Sequence, residues 1–185
     1  MRASDFDILI VPNLGGAAEG DWPSRWRAKL STARFVHPPD PADRRREAWT
    51  EAVARAALEA QRPALFIGHG LGAVAIADAS AALDGADVRG AFLVAPPDAQ
   101  GLERLTSSDW TPARAPLPWP SVVVTSGNDP QGAYDAVAAL AADWGAELID
   151  AGEAGALDAA SGHGPWPEGL IRLAAFIKGI GEGRR

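Results

Sequence analysis

Short, uninterrupted apolar runs such as Leu65-Phe66-Ile67 and Val122-Val123-Val124 constrain this chain more than any other feature. A strand with one solvated face alternates apolar and polar residues, whereas a strand covered on both faces is apolar throughout, as in a parallel sheet between helical layers. Six segments read as strands: 6–11, 34–37, 64–68, 90–95, 121–125 and 147–150. Helical patterns fall between them. Asp21 is placed to cap a helix carrying Trp22, Trp26 and Leu30 at i, i+4, i+8, and residues 48–60 carry Trp49, Val53, Ala56 and Ala57 on one stripe. Further helices are predicted over 73–83, 132–144 and 168–177, the last two with Pro130 and Pro167 at their starts. The alternation of strand and helix predicts a three-layer α/β architecture with a mostly parallel sheet of about six strands. Ligands in such sheets sit beyond the carboxyl ends of the strands, so the loops after Val11, Ile67, Ala95, Thr125 and Ile149 are where chemistry is expected.

Composition narrows the function classes. With 17 Lys and Arg against 24 Asp and Glu, the net charge of −7 disfavours nucleic acid and anionic membrane surfaces as partners. There is no cysteine, hence no disulfide, no thiolate nucleophile and no thiolate metal site. His37, His69 and His163 are too scattered for a metal cluster, and nothing in the sequence implies a cofactor. The start, Met1-Arg2-Ala3-Ser4-Asp5, lacks the pattern of a secretory leader, and no apolar run is long enough to span a bilayer, so a cytoplasmic location is expected. Residues 1–185 read as a single domain without a cap, with the Pro-rich stretch 112–120 as a stiff connector. The run Arg44-Arg45-Arg46 reads as the solvated start of a helix, with anion or partner binding as the minority reading.

The third strand leads into Gly68-His69-Gly70-Leu71-Gly72 and then a small-residue helix. This is the frame of the nucleophile elbow, G-x-S-x-G, with glycine where the serine belongs. The outer glycines of an elbow let strand and helix approach, and the backbone N–H after the central residue helps bind an oxyanion. A phosphate-cradling reading is weak, because the third glycine of a dinucleotide fingerprint and the Lys-Ser/Thr of a P-loop are both missing.

Several further blocks occur with that turn: Ile8-Leu9-Ile10-Val11-Pro12-Asn13-Leu14-Gly15-Gly16, Asp21-Trp22 with Trp26, Leu93-Val94-Ala95-Pro96-Pro97-Asp98, Pro118-Trp119-Pro120-Ser121, Ser126-Gly127-Asn128-Asp129-Pro130 and Ser161-Gly162-His163-Gly164-Pro165-Trp166-Pro167-Glu168-Gly169. Together they make the chain, nearly end to end, similar to the small lidless α/β-hydrolase family, the serine hydrolases typified by retinoblastoma-binding protein nine. The resemblance implies an α/β-hydrolase fold and a Ser, Asp, His triad in that order. Carried onto this sequence, Asp129 fills the acid position, but the nucleophile position is Gly70 and the histidine position is Ala156, in Gly155-Ala156-Leu157-Asp158. An acid without serine or imidazole cannot run acyl transfer by that route.

Other groups around the same loops are candidates for binding. Asn13, in Asn13-Leu14-Gly15, stands where the family has glycine, in the loop that contributes the second oxyanion N–H; its amide either donates to a ligand carbonyl or caps the loop. Leu71 follows the turn. Asp158 replaces the family's Asn and brings a second carboxylate, which either stays solvated or shifts its pKa and joins Asp129 in acid–base work. His163 reads as a loop-packing residue or as a stand-in base swung toward Asp129, and a hydroxyl bonded to it at this rim would restore a working hydrolase. His69 reads as packing under the turn. Ser126 and Thr125 read as strand-end hydroxyls bonded to local backbone, and Trp119 and Trp166 either line a pocket or belong to the core.

The leading expectation is a pseudohydrolase, a hydrolase scaffold that binds a small molecule or protein partner without cleaving it. The alternative is a non-covalent acid–base enzyme, or an atypical hydrolase, that uses Asp129 with Asp158 or His163. The sequence does not specify the ligand, and it leaves the oligomeric state open.

Overall fold

The computed structural model describes residues 1–182. Six strands, β1 (Asp7–Val11), β2 (Ala33–Phe35), β3 (Ala64–His69), β4 (Val88–Val94), β5 (Ser121–Thr125) and β6 (Glu147–Asp150), form one sheet in the order β2-β1-β3-β4-β5-β6. Every neighbouring pair is parallel. Between and after them run α1 (Trp22–Lys29), α2 (Arg46–Leu58), α3 (Leu71–Ala79), α4 (Ala99–Thr106), α5 (Tyr134–Asp143) and α6 (Pro167–Glu182).

The continuous apolar runs divide between two cores by simple alternation. Leu9, Val11, Phe66, Leu93 and Val123 point to the layer of α2, α3 and α5, packing on Trp49, Val74 and Leu140. Ile8, Ile10, Leu65, Ile67, Phe92 and Val124 point to the opposite layer, where α1 supplies Trp22 and Trp26 and α6 supplies Leu173 and Ile177. Among the described residues no cap domain is inserted above the strand ends, and no helix is long and apolar enough to cross a membrane.

The chain departs from the expected elements in a few places. Helix α4 is an addition to the expected elements; its start is set by Asp98, whose side chain accepts from the Gly101 N–H at 2.7 Å, but Gly101 inside so short a segment masks the helical pattern. Asp21 does precede α1, yet its carboxylate accepts from the Ala18 N–H at 2.9 Å instead of capping the helix. Pro130 lies four residues ahead of α5 and does not open it. The three arginines are not a free cationic face: Arg45 pairs with Asp43 at 2.6 Å, Arg46 with Asp78 at 3.0 Å, and Arg44 donates to Ser107 Oγ at 3.2 Å.

The strand order places the candidate site. From β1 the chain moves outward to β2, then returns to lay β3 on the other side of β1. The loops after β1 and β3 diverge at this switch point, the place where open α/β sheets hold ligands. Asn13 and Gly70 lie on those two loops.

Candidate functional site

The turn from β3 to α3 has the tight geometry of an elbow. A Cβ on Gly68 would stand 2.6 Å from Ala73 Cα, and one on Gly72 would stand 2.1 Å from the Val11 carbonyl oxygen, so both positions need glycine for strand and helix to meet. Gly70 sits between them at φ 55°, ψ −123°, a conformation that residues with a Cβ adopt only under strain. Its N–H donates to the Val94 carbonyl at 2.9 Å, tying the turn to β4.

Two backbone N–H groups converge beside this turn, from Leu71 at the head of α3 and from Leu14 in the loop after β1. Both donate to one atom, Asn13 Oδ1, each at 2.9 Å. In a working elbow the N–H after the nucleophile and one from the facing loop receive the oxyanion. Here a carboxamide oxygen of the same chain occupies that position. The Asn13 side chain fits only because Gly70 is bare: a Cβ at position 70 would lie 2.4 Å from both Asn13 Cγ and Oδ1. The loop is held from outside by the Gly15 N–H, which donates to Pro41 O at 2.8 Å. Gly15 itself is exposed, while the Leu71 side chain is fully buried and offers the rim only its N–H. Of the two roles open to Asn13, ligand donor or loop cap, its oxygen fills the second by accepting from Leu14, and through Leu71 it also joins the two loops. A side chain replacing the family's glycine beside the turn was the available signal.

The loop that carries Ala156 is fastened at several points. Ala156 O accepts from His69 Nε2 at 3.0 Å, which fixes the proton on that nitrogen. Burial lowers the His69 pKa, so the ring is neutral near pH 7, and it lies 5.3 Å from the Trp22 ring. Trp22 Nε1 donates to Leu157 O at 2.8 Å, holding Leu157 at φ 50°. Ser126 Oγ accepts from the Ala154 N–H at 2.9 Å and Asn128 Oδ1 from the Gly155 N–H at 2.7 Å. Ser126 is thus a fastener between β5 and this loop.

Asp129 is half-buried, with Oδ1 accepting from the Gln131 N–H at 2.8 Å. Burial, reinforced by the negative charges of Asp158 and Asp98, pushes its pKa up to about 6. Asp158 behaves oppositely. Burial opposes its ionisation, but hydrogen bonds from the backbone and hydroxyl of Ser161 outweigh that and hold the carboxyl below its ordinary value.

His163 meets Ser161, not Asp129: Ser161 Oγ and His163 Nδ1 are 3.4 Å apart. This is the hydroxyl–imidazole contact that would revive a hydrolase, so its geometry matters. Ser161 Oγ lies 2.9 Å from Asp158 Oδ1 and 3.0 Å from Asp158 O, and it accepts from the Asp158 N–H at 3.0 Å. The hydroxyl proton is committed to Asp158, and the imidazole contact is at the long limit of a hydrogen bond. The cluster closes a turn within one loop; it does not set a base against a nucleophile.

The two tryptophans leave the site. Trp166 is a core residue, stacked on Trp26 at 5.7 Å and edge-on to Trp22 at 5.3 Å. Trp119 lies just before β5, at the amino ends of the strands, and packs on Phe66 at 6.3 Å. Neither lines the rim around Gly70. Among the described residues no group of three or more His, Asp or Glu side chains could hold a metal ion.

Known structures share this architecture. A YdeN-like hydrolase, so described, from Pectobacterium atrosepticum is 28% identical, with a TM-score of 0.85 over 96% of this chain and 94% of that one. The ydeN gene product of B. subtilis is 18% identical, with a TM-score of 0.68 over 94% and 99% of the two chains. An α/β-superfamily protein from Xanthomonas campestris, 19% identical, has a TM-score of 0.64 over 90% and 96%. No curated protein matches the sequence. The family described as serine hydrolase matches residues 8–175, nearly the whole chain, and the protein belongs to it.

Proposed function

We propose that this protein is a non-hydrolytic member of the serine hydrolase family, whose strand-end rim serves to bind a small molecule or protein partner. One observation carries the reading: Asn13 Oδ1 takes both the Leu14 and the Leu71 N–H beside a residue 70 that has no side chain. Three groups needed for acyl transfer are then missing at once: a hydroxyl at Gly70, an imidazole at Ala156 and a vacant pair of oxyanion donors. The remaining rim is acidic, with Asp158 and Asp98 close enough for Asp129 to feel their charges, which suits a ligand rich in hydrogen-bond donors better than an ester.

The test is covalent labelling with a fluorophosphonate probe beside turnover of p-nitrophenyl esters. The expected result is no labelling and no turnover above that of the unfolded chain. Stoichiometric labelling at any serine, Ser161 included, would overturn the reading.

A second reading rests on Asp129, whose pKa of about 6 places a proton donor and acceptor near neutral pH without a covalent intermediate. It predicts that ligands found for the rim are chemically changed on incubation and that Asp129→Asn abolishes the change while leaving binding intact.

A further inference from the structure

At the opposite end of the sheet lies a groove of about 740 Å³ between α6 and the amino ends of β4, β5 and β6. That volume falls within the range of small-molecule sites, about 300–1,000 Å³. It exists because of the sequence of α6. Arg172, Ala175, Phe176, Gly179 and Ile180 follow the i, i+3, i+4 spacing of one helix stripe, and all five line the groove. Phe176 and Ile180 pack closely over Gly90, where a Cβ would stand 2.9 Å and 2.8 Å from their side-chain atoms. Ala175 and Gly179 fill nothing, and a Cβ on Gly179 would meet no atom within 4 Å.

The polar groups at this wall are chiefly donors. The β3–β4 register jumps from Ala64↔Val88 to Leu65↔Gly90, which makes Arg89 the extra residue of a bulge. Bulges re-aim side chains, and this one brings Arg89 to the groove. Asp87 pairs with the guanidinium through both carboxylate oxygens, at Nε and at Nη2, the latter at 2.7 Å, and only Nη1 is buried without an acceptor. Trp119 Nε1, on the same lining, is also buried without one. Buried donors are nearly always satisfied, so two orphans on one wall point to an absent acceptor. Among the described lining residues Arg89, whose charge is shared with Asp87 just outside the lining, and Arg172 stand against one carboxylate, Glu147, which is exposed on β6.

We propose that this groove binds an apolar monocarboxylate of the free fatty acid class, its chain along Phe176, Ile180 and Val122 and its carboxylate at the Arg89–Trp119 wall. The site is separate from the Asn13–Gly70 rim, so its test is independent of whether the protein hydrolyses anything.

Isothermal titration of the full chain with octanoate, dodecanoate, octanol and octylamine tests the assignment. Saturable one-to-one binding is expected for both carboxylates, tighter for dodecanoate, with octylamine weaker than octanoate by about tenfold or more, as loss of a charge-assisted contact implies. Arg89→Gln should weaken octanoate by roughly tenfold and leave octanol unchanged. Gly179→Leu, which adds a helix-favouring residue in open space, should abolish binding while the melting temperature holds or rises. Absence of saturation by either carboxylate, equal affinity for octanoate and octylamine, or undiminished binding by folded Gly179→Leu would each overturn the proposal. So would a dimer that Gly179→Leu dissociates in a protein that binds no carboxylate, since the occupant would then be a second copy.

Discussion

The carboxamide oxygen of Asn13 accepts the backbone N–H of Leu71 at 2.9 Å, the bond an elbow ordinarily reserves for a substrate oxygen. Asn13 belongs to the loop after β1 and Leu71 to the first turn of α3, so the contact links the two segments that diverge at the sheet's switch point. It also ties two amino-acid identities together. Glycine at 70 is what leaves room for the side chain of Asn13, whose oxygen takes both N–H groups.

That dependence gives a stability prediction. Gly70→Ser places a Cβ 2.4 Å from Asn13 Cγ on a backbone at φ 55°. Strain of about 1–3 kcal/mol from the backbone, with a steric term of similar size, is expected from the single change. In an Asn13→Gly background the steric part disappears. Urea denaturation of the four proteins in this cycle should give a coupling of about 1–3 kcal/mol, with Gly70→Ser better tolerated when Asn13 is absent. Additive effects would mean that Asn13 moves aside at no cost.

Catalysis can be rebuilt only in a particular combination. On the reading proposed above, Gly70→Ser with Ala156→His would return a nucleophile and a base to the positions that the family resemblance assigns them, but the Leu14 and Leu71 N–H groups would stay engaged by Asn13 Oδ1. Removing a single oxyanion donor from a working enzyme costs about 10²–10³ in rate. The triple variant Asn13→Gly, Gly70→Ser, Ala156→His should therefore exceed the double variant by roughly 10²-fold or more in p-nitrophenyl acetate turnover. Equal rates would show that the carboxamide does not obstruct the hole.

The pH dependence of stability isolates Asp129. Its pKa is raised from 3.8 to about 6, so between those values the folded protein holds a proton that the unfolded chain has released. Stability from this group is therefore greatest below pH 4, falls as pH rises toward 6, and is flat above. Asp129→Asn keeps a carbonyl for the Gln131 N–H and removes the buried charge. Discounted for partial exposure, the variant should gain about 1–2 kcal/mol at pH 8 relative to pH 4. Denaturant midpoints at the two pH values measure it, and a gain of the same size at both would discount burial of the charge as the cause.

Much of this fold was legible because the sheet is covered on both faces. Val122-Val123-Val124 has no polar position, and β5 and β6 have the bounds that the pattern gave. Helix α4 was illegible because its start depends on a side chain, Asp98, capping a segment with glycine at its third position. At the site, the strand pattern put Asn13 and Gly70 on strand-end loops, and the family resemblance implied that those loops face each other. It could not show which atom of Asn13 faces the turn, since a side-chain torsion decides that. Trp119 and Trp166 were ambiguous for a different reason: aromatic residues suit a core and a pocket equally well, and only their placement tells them apart. The role of Ser161 was not legible from its motif block, because its partners lie within three residues and a local turn leaves no periodic trace.

A buried carboxylate behind the site gives the last prediction. Asp78, on α3, has a fully buried side chain that accepts from Trp110 Nε1 at 2.7 Å, from the Ala113 N–H at 2.7 Å and from Arg46 Nε at 3.0 Å. Burial raises its pKa, opposed by these three donors. Asp78 thereby fastens the elbow helix to α2 and to the Pro-rich connector, none of which the triad frame requires. Asp78→Ala strands an indole N–H and a backbone N–H and removes the partner of the half-exposed Arg46 guanidinium, and should cost about 2–5 kcal/mol, at about 1–3 for each donor left unsatisfied. Asp78→Asn keeps an acceptor for two of the three donors and should cost less, about 1–3 kcal/mol. Urea unfolding orders the variants. If Asp78→Ala proves no worse than Asp78→Asn, the orphaned donors are finding water, and α3 is held chiefly by the apolar contacts of Val74 and Ile76.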